Sequence, residues 1–217
     1  MSDILHESFG VFHERKSEVE IFFVLLNKNT GAVNDETKIL RATVFLLLYN
    51  AIEATISQII REYHLHLSSK KFSELSEKLK THYIDLKLSD CKPRTTNYET
   101  YISKSKEIIK SIVDEAAVDF KINQLEDRLP MSGNIDNEYI AKLFKGEWGM
   151  SFDDFKIPSS ISEIKKKRNE LSHGRMSFME VGKDLTLEDL RRHKTEVLTC
   201  LETLLEMTKK HTEALYA

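Results

Sequence analysis

The segment Arg168-Asn169-Glu170-Leu171-Ser172-His173-Gly174 holds the residue types needed to move a phosphoryl group. Arginine presents a planar, permanent cation that matches phosphate oxygens. Histidine takes and gives a proton near neutral pH. Glycine closes a helix by entering the left-handed region that other residues avoid. Lys165, Lys166 and Lys167 directly precede the arginine, and Arg175 follows the glycine. Between Glu163 and Arg175, five Lys/Arg and two Glu leave a local charge of +3, against −3 for the whole chain. The total is not that of a protein that coats nucleic acid, so any contact with RNA is confined to a local patch. Arg168, Asn169 and His173 are the candidate catalytic residues, with Lys165, Lys166, Lys167 and Arg175 as candidate phosphate contacts. The competing reading is an exposed helix end whose basic residues favour the last turn, with the lysine run as a solvated face.

The elements around this segment read as helices. Seven glycines and three prolines in 217 residues argue for long helices and against a turn-rich β fold, and 41 % hydrophobic residues supply a core. Leu5, Phe9, Phe12, Val19, Phe22, Phe23 and Leu26 share one face of a first helix over residues 3–28, broken at Asn29-Thr30-Gly31. Leu40, Val44, Leu47, Leu48, Ala51, Ile52, Ile56 and Ile59 form the inner stripe of a second helix over residues 35–64, with Asp35 as its N-cap. Glu53 lies inside that apolar stretch. A buried acid needs a partner, so Glu53 either pairs with Arg168 or another base, or points to solvent.

The middle of the chain is less regular. A short helix is predicted over 68–80, a loop around Pro93 over 89–97, and helical spacing over 101–117. Residues 118–134 read as irregular with room for a short strand, 135–145 as helix, and 146–160 as a loop anchored by Trp148. Ser159 or Ser160 caps the motif helix, placed at 160–173. Thr186 caps a last helix with Glu188 and Asp189 in its first turn. The sum is an all-α, up-and-down helical bundle, a single domain over 1–217 with a helical insert near 67–150. Phe9, Phe12, Phe22 and Phe23 belong to the core. His64, His66 and His82 read as surface residues, and His193 and His211 as the polar side of the last helix.

Cys91 and Cys200 have no metal-ligand spacing and read as reduced thiols of a cytosolic protein. Residues 1–10 lack the pattern of a signal peptide. The most apolar run, Thr43 to Ile52, is far short of the roughly 20 residues that span a bilayer, so no membrane is expected. No carboxylate or His/Cys cluster stands at metal-ligand spacing, and no cofactor is expected.

One geometric constraint bears on the chemistry. Residues five apart on a regular helix are rotated by about 140° from each other. Arg168 and His173 then serve one phosphate only if His173 leaves the helix at Gly174, or if two copies of the motif face each other across a dimer.

Arg168 and His173 with four residues between them, Asn169 after the arginine and Gly174 after the histidine resemble the motif of the HEPN superfamily (higher eukaryotes and prokaryotes nucleotide-binding). Leu40 to Ile60, with Glu53 inside it, is similar to the family's second core helix. Ser132-Gly133-Asn134-Ile135-Asp136, followed by an apolar helix and Gly149, resembles the insert of the MAE-type branch, a bacterial group found in defence and toxin settings. The resemblance implies an all-helical, metal-independent endoribonuclease that dimerises to form a composite site. It would use Arg168, Asn169 and His173, with Glu53 in support. It also implies RNA as substrate, a homodimer, and an antitoxin or second defence protein as a further partner. The alternatives are a non-catalytic HEPN module that binds nucleotide, RNA or a partner protein, and an adaptor bundle with no ligand. The chain departs from the toxins of the superfamily that are silenced by nucleotidylation: where they carry a tyrosine two residues past the histidine, this chain has Arg175.

Overall fold

A computed structural model describes residues 4–28, 34–89, 91, 97–120, 133–153 and 155–216. The helices are α1 His6–Lys28, α2 Asp35–Leu67, α3 Glu77–Leu88, α4 Tyr98–Val113, α5 Asn137–Ile140, α6 Ser160–Ser172, α7 Phe178–Gly182 and α8 Leu187–Ala214. A 3₁₀ turn at Phe72–Glu74 precedes α3, and α5 runs on as a π-helical stretch over Ala141–Glu147. Among the described residues there is no strand, only an isolated antiparallel bridge between Lys71 and Ala117. The fold is all-α.

Helices α1, α6, α7 and α8 pack against α2. The first turn of α1 meets the last turns of α2, where the Glu62 carboxylate accepts from the Glu7 N–H at 3.2 Å, the Ser8 N–H at 2.7 Å and the Ser8 hydroxyl. A carboxylate at a helix N-terminus satisfies orphan donors and opposes the dipole. The two ends of α8 match the two ends of α2 in the parallel sense. Arg41 Nη1 donates to the Leu185 carbonyl at 2.8 Å, and Tyr216 meets Ser69 at 3.2 Å. Arg191 and Lys194 of α8 reach Asn27 and Glu20 of α1. The core is one continuous cluster, from Phe12 and Phe23 of α1 through the α2 stripe to Leu201, Leu204 and Leu205 of α8. Phe9 and Phe22 pack against it while partly buried. By length and composition α2 could cross a membrane, but half of its most apolar window is buried beneath the other helices.

Helix boundaries show what local chemistry dictates. Thr186 caps α8 in a capping box with Asp189. The cap of α2 is Asn34, not Asp35: Asn34 Oδ1 accepts from the Thr37 N–H at 2.8 Å, and the Thr37 hydroxyl accepts from the Asn34 N–H at 3.0 Å. A capping box needs an acceptor three residues on, which Thr37 supplies and Lys38 does not. The helix predicted over 68–80 shifts to α3, capped by Ser76. The breaks at residues 29–31 and around Pro93, and most of 118–134, lie outside the described residues.

Two of the predicted surface histidines are interior. His64 and His82 are 0 % and 3 % exposed, with Nε2 atoms 2.8 Å apart. His64 Nδ1 lies 2.7 Å from the Ile60 carbonyl, and His82 Nδ1 lies 2.9 Å from Glu147 Oε2. A carbonyl only accepts, so His64 donates from Nδ1. The chain of bonds to the Glu147 carboxylate then closes with His82 donating from both nitrogens. Burial alone would raise the Glu147 carboxyl, but the hydrogen bond and charge of His82 outweigh it and hold Glu147 below its usual range. Phe120 and Trp148 pack on His64 at 5.0 and 5.6 Å. The sequence misplaces these residues because their cover comes from α3 and from segments far along the chain. His193 is buried against Phe45 of α2, and His211 is half-buried beside Tyr63, so neither sits on a polar face. Trp148 is fully buried between Tyr63 and Phe144. Cys91 and Cys200 are free, and burial pushes the Cys200 thiol up to about 12.

Two predictions follow from this packing. A Cβ at Gly182 would collide with the Lys38 backbone carbonyl, where α7 crosses α2. Gly182→Ala should lower the urea midpoint by an amount equivalent to about 1–3 kcal/mol. Acidification should also destabilise the fold through His64, which burial holds neutral, down at about 3 against an ordinary 6.5. Below 6.5 the unfolded chain binds a proton that the folded chain refuses. The contribution is therefore complete above 6.5 and falls by about 1.4 kcal/mol per pH unit towards 3. Urea titrations from pH 7 to pH 5 should show a shallower loss in His64→Gln than in the parent.

Candidate functional site

Helix α6 ends where its sequence says it should. His173 is the C-cap, and Gly174 takes a φ of +64°. The Gly174 N–H donates to Leu171 O at 3.1 Å and the Arg175 N–H to Glu170 O at 2.9 Å, the paired bonds of a Schellman motif. A side chain at position 174 would strain this turn. Ser159 and Ser160 do not cap the other end: Ser159 is already helical in backbone, Ser160 is buried, and no side-chain cap forms.

Arg168 faces inward, towards α2. Its guanidinium lies 4.7 Å from the Tyr49 ring centroid, over the ring face. Nη1 donates to Asn169 Oδ1 at 3.0 Å, and Nη2 stands 3.7 Å from Glu53 Oε2. The other Glu53 oxygen accepts the Gly133 N–H at 2.8 Å, and the Tyr49 hydroxyl accepts the Ile135 N–H at 3.2 Å. Burial, then the Glu53 carboxylate, push the Tyr49 hydroxyl up to about 12, so it stays a neutral hydroxyl at physiological pH. Of the partners open to Glu53 in the sequence, the structure selects Arg168 and the Gly133 backbone. The arginine side chain is only 25 % exposed and its direction is fixed on three sides.

The other face of α6 is a groove of about 320 Å³. It is lined by Asp136, Ser162, Lys165, Lys166, Asn169, Glu170 and Arg175. Lys165 Nζ donates to Asp136 Oδ2 at 2.6 Å and to the Asn134 carbonyl at 2.9 Å. Burial alone would raise the Asp136 carboxyl, but the hydrogen bonds from Lys165 and the Tyr139 N–H outweigh it and hold Asp136 below its usual range. Lys167 pairs with Glu170 at 3.1 Å. Lys166 and Arg175 have no ion-pair partner among the described residues, and the exposed His173 ring has no hydrogen-bond partner there. Three of the five basic residues behind the local +3 are thus already matched within the chain. Among the described residues, no three His, Cys, Asp or Glu side chains are gathered to hold a metal ion.

The helical angle separates the two motif residues. The buried positions Ile161, Ile164 and Leu171 share the inward side with Arg168. The groove residues Ser162, Lys166 and Asn169 share the outward side, and the spacing places His173 with them. Asn169 touches both sides, lining the groove while its amide oxygen holds Arg168. Among the described residues the site therefore offers a stiffly held cation, an imidazole without a hydrogen-bond partner and two cations without an ion-pair partner around a helix end.

The sequence pattern of the HEPN_MAE_28990-like HEPN family matches residues 4–211. The chain belongs to the HEPN family. No curated protein and no solved structure matches it. On α6, Arg168 points inward and the spacing sets His173 outward, just before the glycine stop. Sequence reasoning missed Tyr49 as the platform under Arg168, although it stands four residues before Glu53 on the same face of α2. It also missed Asp136 as the partner of Lys165, 29 residues away.

Arg168→Ala should cost about 1–2 kcal/mol in urea unfolding, because it strips the cover from Tyr49 and leaves Glu53 without its cation. His173→Ala should stay within about 0.5 kcal/mol of the parent, since the ring is exposed and has no hydrogen-bond partner among the described residues. A larger loss in His173→Ala than in Arg168→Ala would contradict this arrangement.

Proposed function

We propose that this HEPN protein is a metal-independent endoribonuclease acting as a homodimer, as a toxin of a toxin–antitoxin pair or as a bacterial defence enzyme in the cytoplasm. The observation that carries this reading is an exposed imidazole, without a hydrogen-bond partner among the described residues, five residues past a guanidinium held by ring stacking, a hydrogen bond and an ion pair. RNA brings its own nucleophile, the ribose 2′-hydroxyl. One His173 removes the hydroxyl proton as the oxygen attacks phosphorus. A second proton donor delivers to the departing 5′-oxygen as the P–O bond breaks. Arg168 stabilises the charge that builds on the phosphoryl oxygens. The products are a 2′,3′-cyclic phosphate and a 5′-hydroxyl.

A twofold dimer with motif helices facing each other answers the helical angle. It sets one copy's outward His173 opposite the other's and gathers both sets of Lys166 and Arg175. An antitoxin or second defence protein is the expected further partner. Arg175, in place of the tyrosine of nucleotidylated toxins, belongs in this reading to the phosphate contacts. A second reading is a HEPN module that binds nucleotide, RNA or protein without cleaving. The groove supports it, because Ser162, Lys166, Asn169 and Arg175 make a phosphate cradle whether or not chemistry follows.

Purified protein should cleave total RNA in EDTA and leave 2′,3′-cyclic ends. Arg168→Ala and His173→Ala should each lower the rate by at least about 100-fold. Arg168→Lys should also be impaired, because a point charge does not replace a planar fork. Mixed Arg168→Ala and His173→Ala chains should recover part of the activity if each half-site draws on both subunits. Activity lost in EDTA and restored by magnesium would overturn the mechanism. Tight RNA binding without cleavage would favour the second reading.

A further inference from the structure

We propose that Asp136 is a built-in competitor for the phosphate site: its carboxylate occupies Lys165, and an RNA phosphate must displace it to use that lysine. The inference rests on reading the α6 groove as the phosphate site. Asp136 is delivered from outside α6, on a segment that is itself tied down. Gly133 is held by Glu53 and Ile135 by Tyr49, the two residues that also hold Arg168. Asp136 therefore has a fixed position relative to the motif. Its bond to Lys165 is short, 2.6 Å, with side chains 21 % and 24 % exposed, so the pair sits at the rim and not in the core.

The charges of the groove lining show the consequence. Lys165, Lys166 and Arg175 oppose Asp136 and Glu170, a net +1, of which Asp136 and Lys165 cancel each other. An approaching phosphate meets the Asp136 carboxylate at Lys165. The exchange is local. Asp136 also caps α5 by accepting the Tyr139 N–H at 2.9 Å, a bond that survives when Lys165 turns to another anion. A phosphate offers Lys165 an equivalent charge-assisted bond. The lock at the rim is weak enough to open for a polyanion held at several points, yet it opposes single anions.

The test uses the full chain and a fluorescent, uncleavable 2′-O-methyl oligouridylate, with anisotropy measured over a range of salt. Asp136→Asn removes the charge and keeps a good N-cap, and Asp136→Ser does the same with a different side chain. Both should bind about three- to tenfold tighter than the parent. The salt dependence should steepen by about 0.7 in log–log slope, the signature of one more cation engaged with a single strand. Adding Lys165→Met to Asp136→Asn should cancel both gains. Measurable parent binding with unchanged affinity and slope in both Asp136 variants would overturn the lock alone. No binding by parent or variants at low salt would overturn the phosphate-site reading and the lock with it.

Discussion

A guanidinium cannot shed its charge, so an arginine that is three-quarters buried dictates its surroundings. Around Arg168 every neighbour answers that demand. Tyr49 supplies a π face, Glu53 a carboxylate, and Asn169 an amide oxygen. The Glu53 and Tyr49 oxygens in turn take the backbone N–H groups of Gly133 and Ile135. One cation thereby joins α2, α6 and the segment before α5. A lysine could supply the charge but not the flat, multiply bonded contact.

The same constraint divides α6 into two sides. The inner side is committed to the fold through Ile161, Ile164, Arg168 and Leu171. The outer side carries the groove, where Lys166 and Arg175 have no ion-pair partner among the described residues. A straight helix cannot turn a residue from one side to the other within five positions. The catalytic reading thus needs a second copy of the motif more than it needs any distortion of the first. The Schellman turn at Gly174 closes the helix, with His173 as its C-cap.

The stretch from Gly133 to Trp148 is fastened at both ends by polar groups of opposite character. At one end Asp136 pairs with Lys165 near the rim, where solvent screens the pair. At the other, Glu147 meets His82 and His64 in the interior, under Trp148 and Phe120. There desolvation makes proton placement matter, and a further proton, on His64 Nε2, would face the His82 N–H with no acceptor to meet. The two fastenings respond to different agents, counter-ions at the groove and protons in the core.

The long helices, the stop at Gly174 and the cap at Thr186 were legible in the sequence. Their causes act within one turn of chain: apolar residues recurring at three and four, a left-handed glycine, a hydroxyl three residues before an acid. The motif residues were legible too, as residue types at a spacing. Which cations are free was not. Lys165, Lys167 and Arg168 look alike beside Lys166 until Asp136, Glu170 and Glu53 are brought to them, two of these from more than 25 residues away. The interior placement of His64, His82 and His193 escaped for the same reason, since a polar side chain reads as surface until a distant element covers and pairs it. Local hydrogen bonding and periodicity are written along the chain. Burial and charge pairing depend on distances that only the packed helices define.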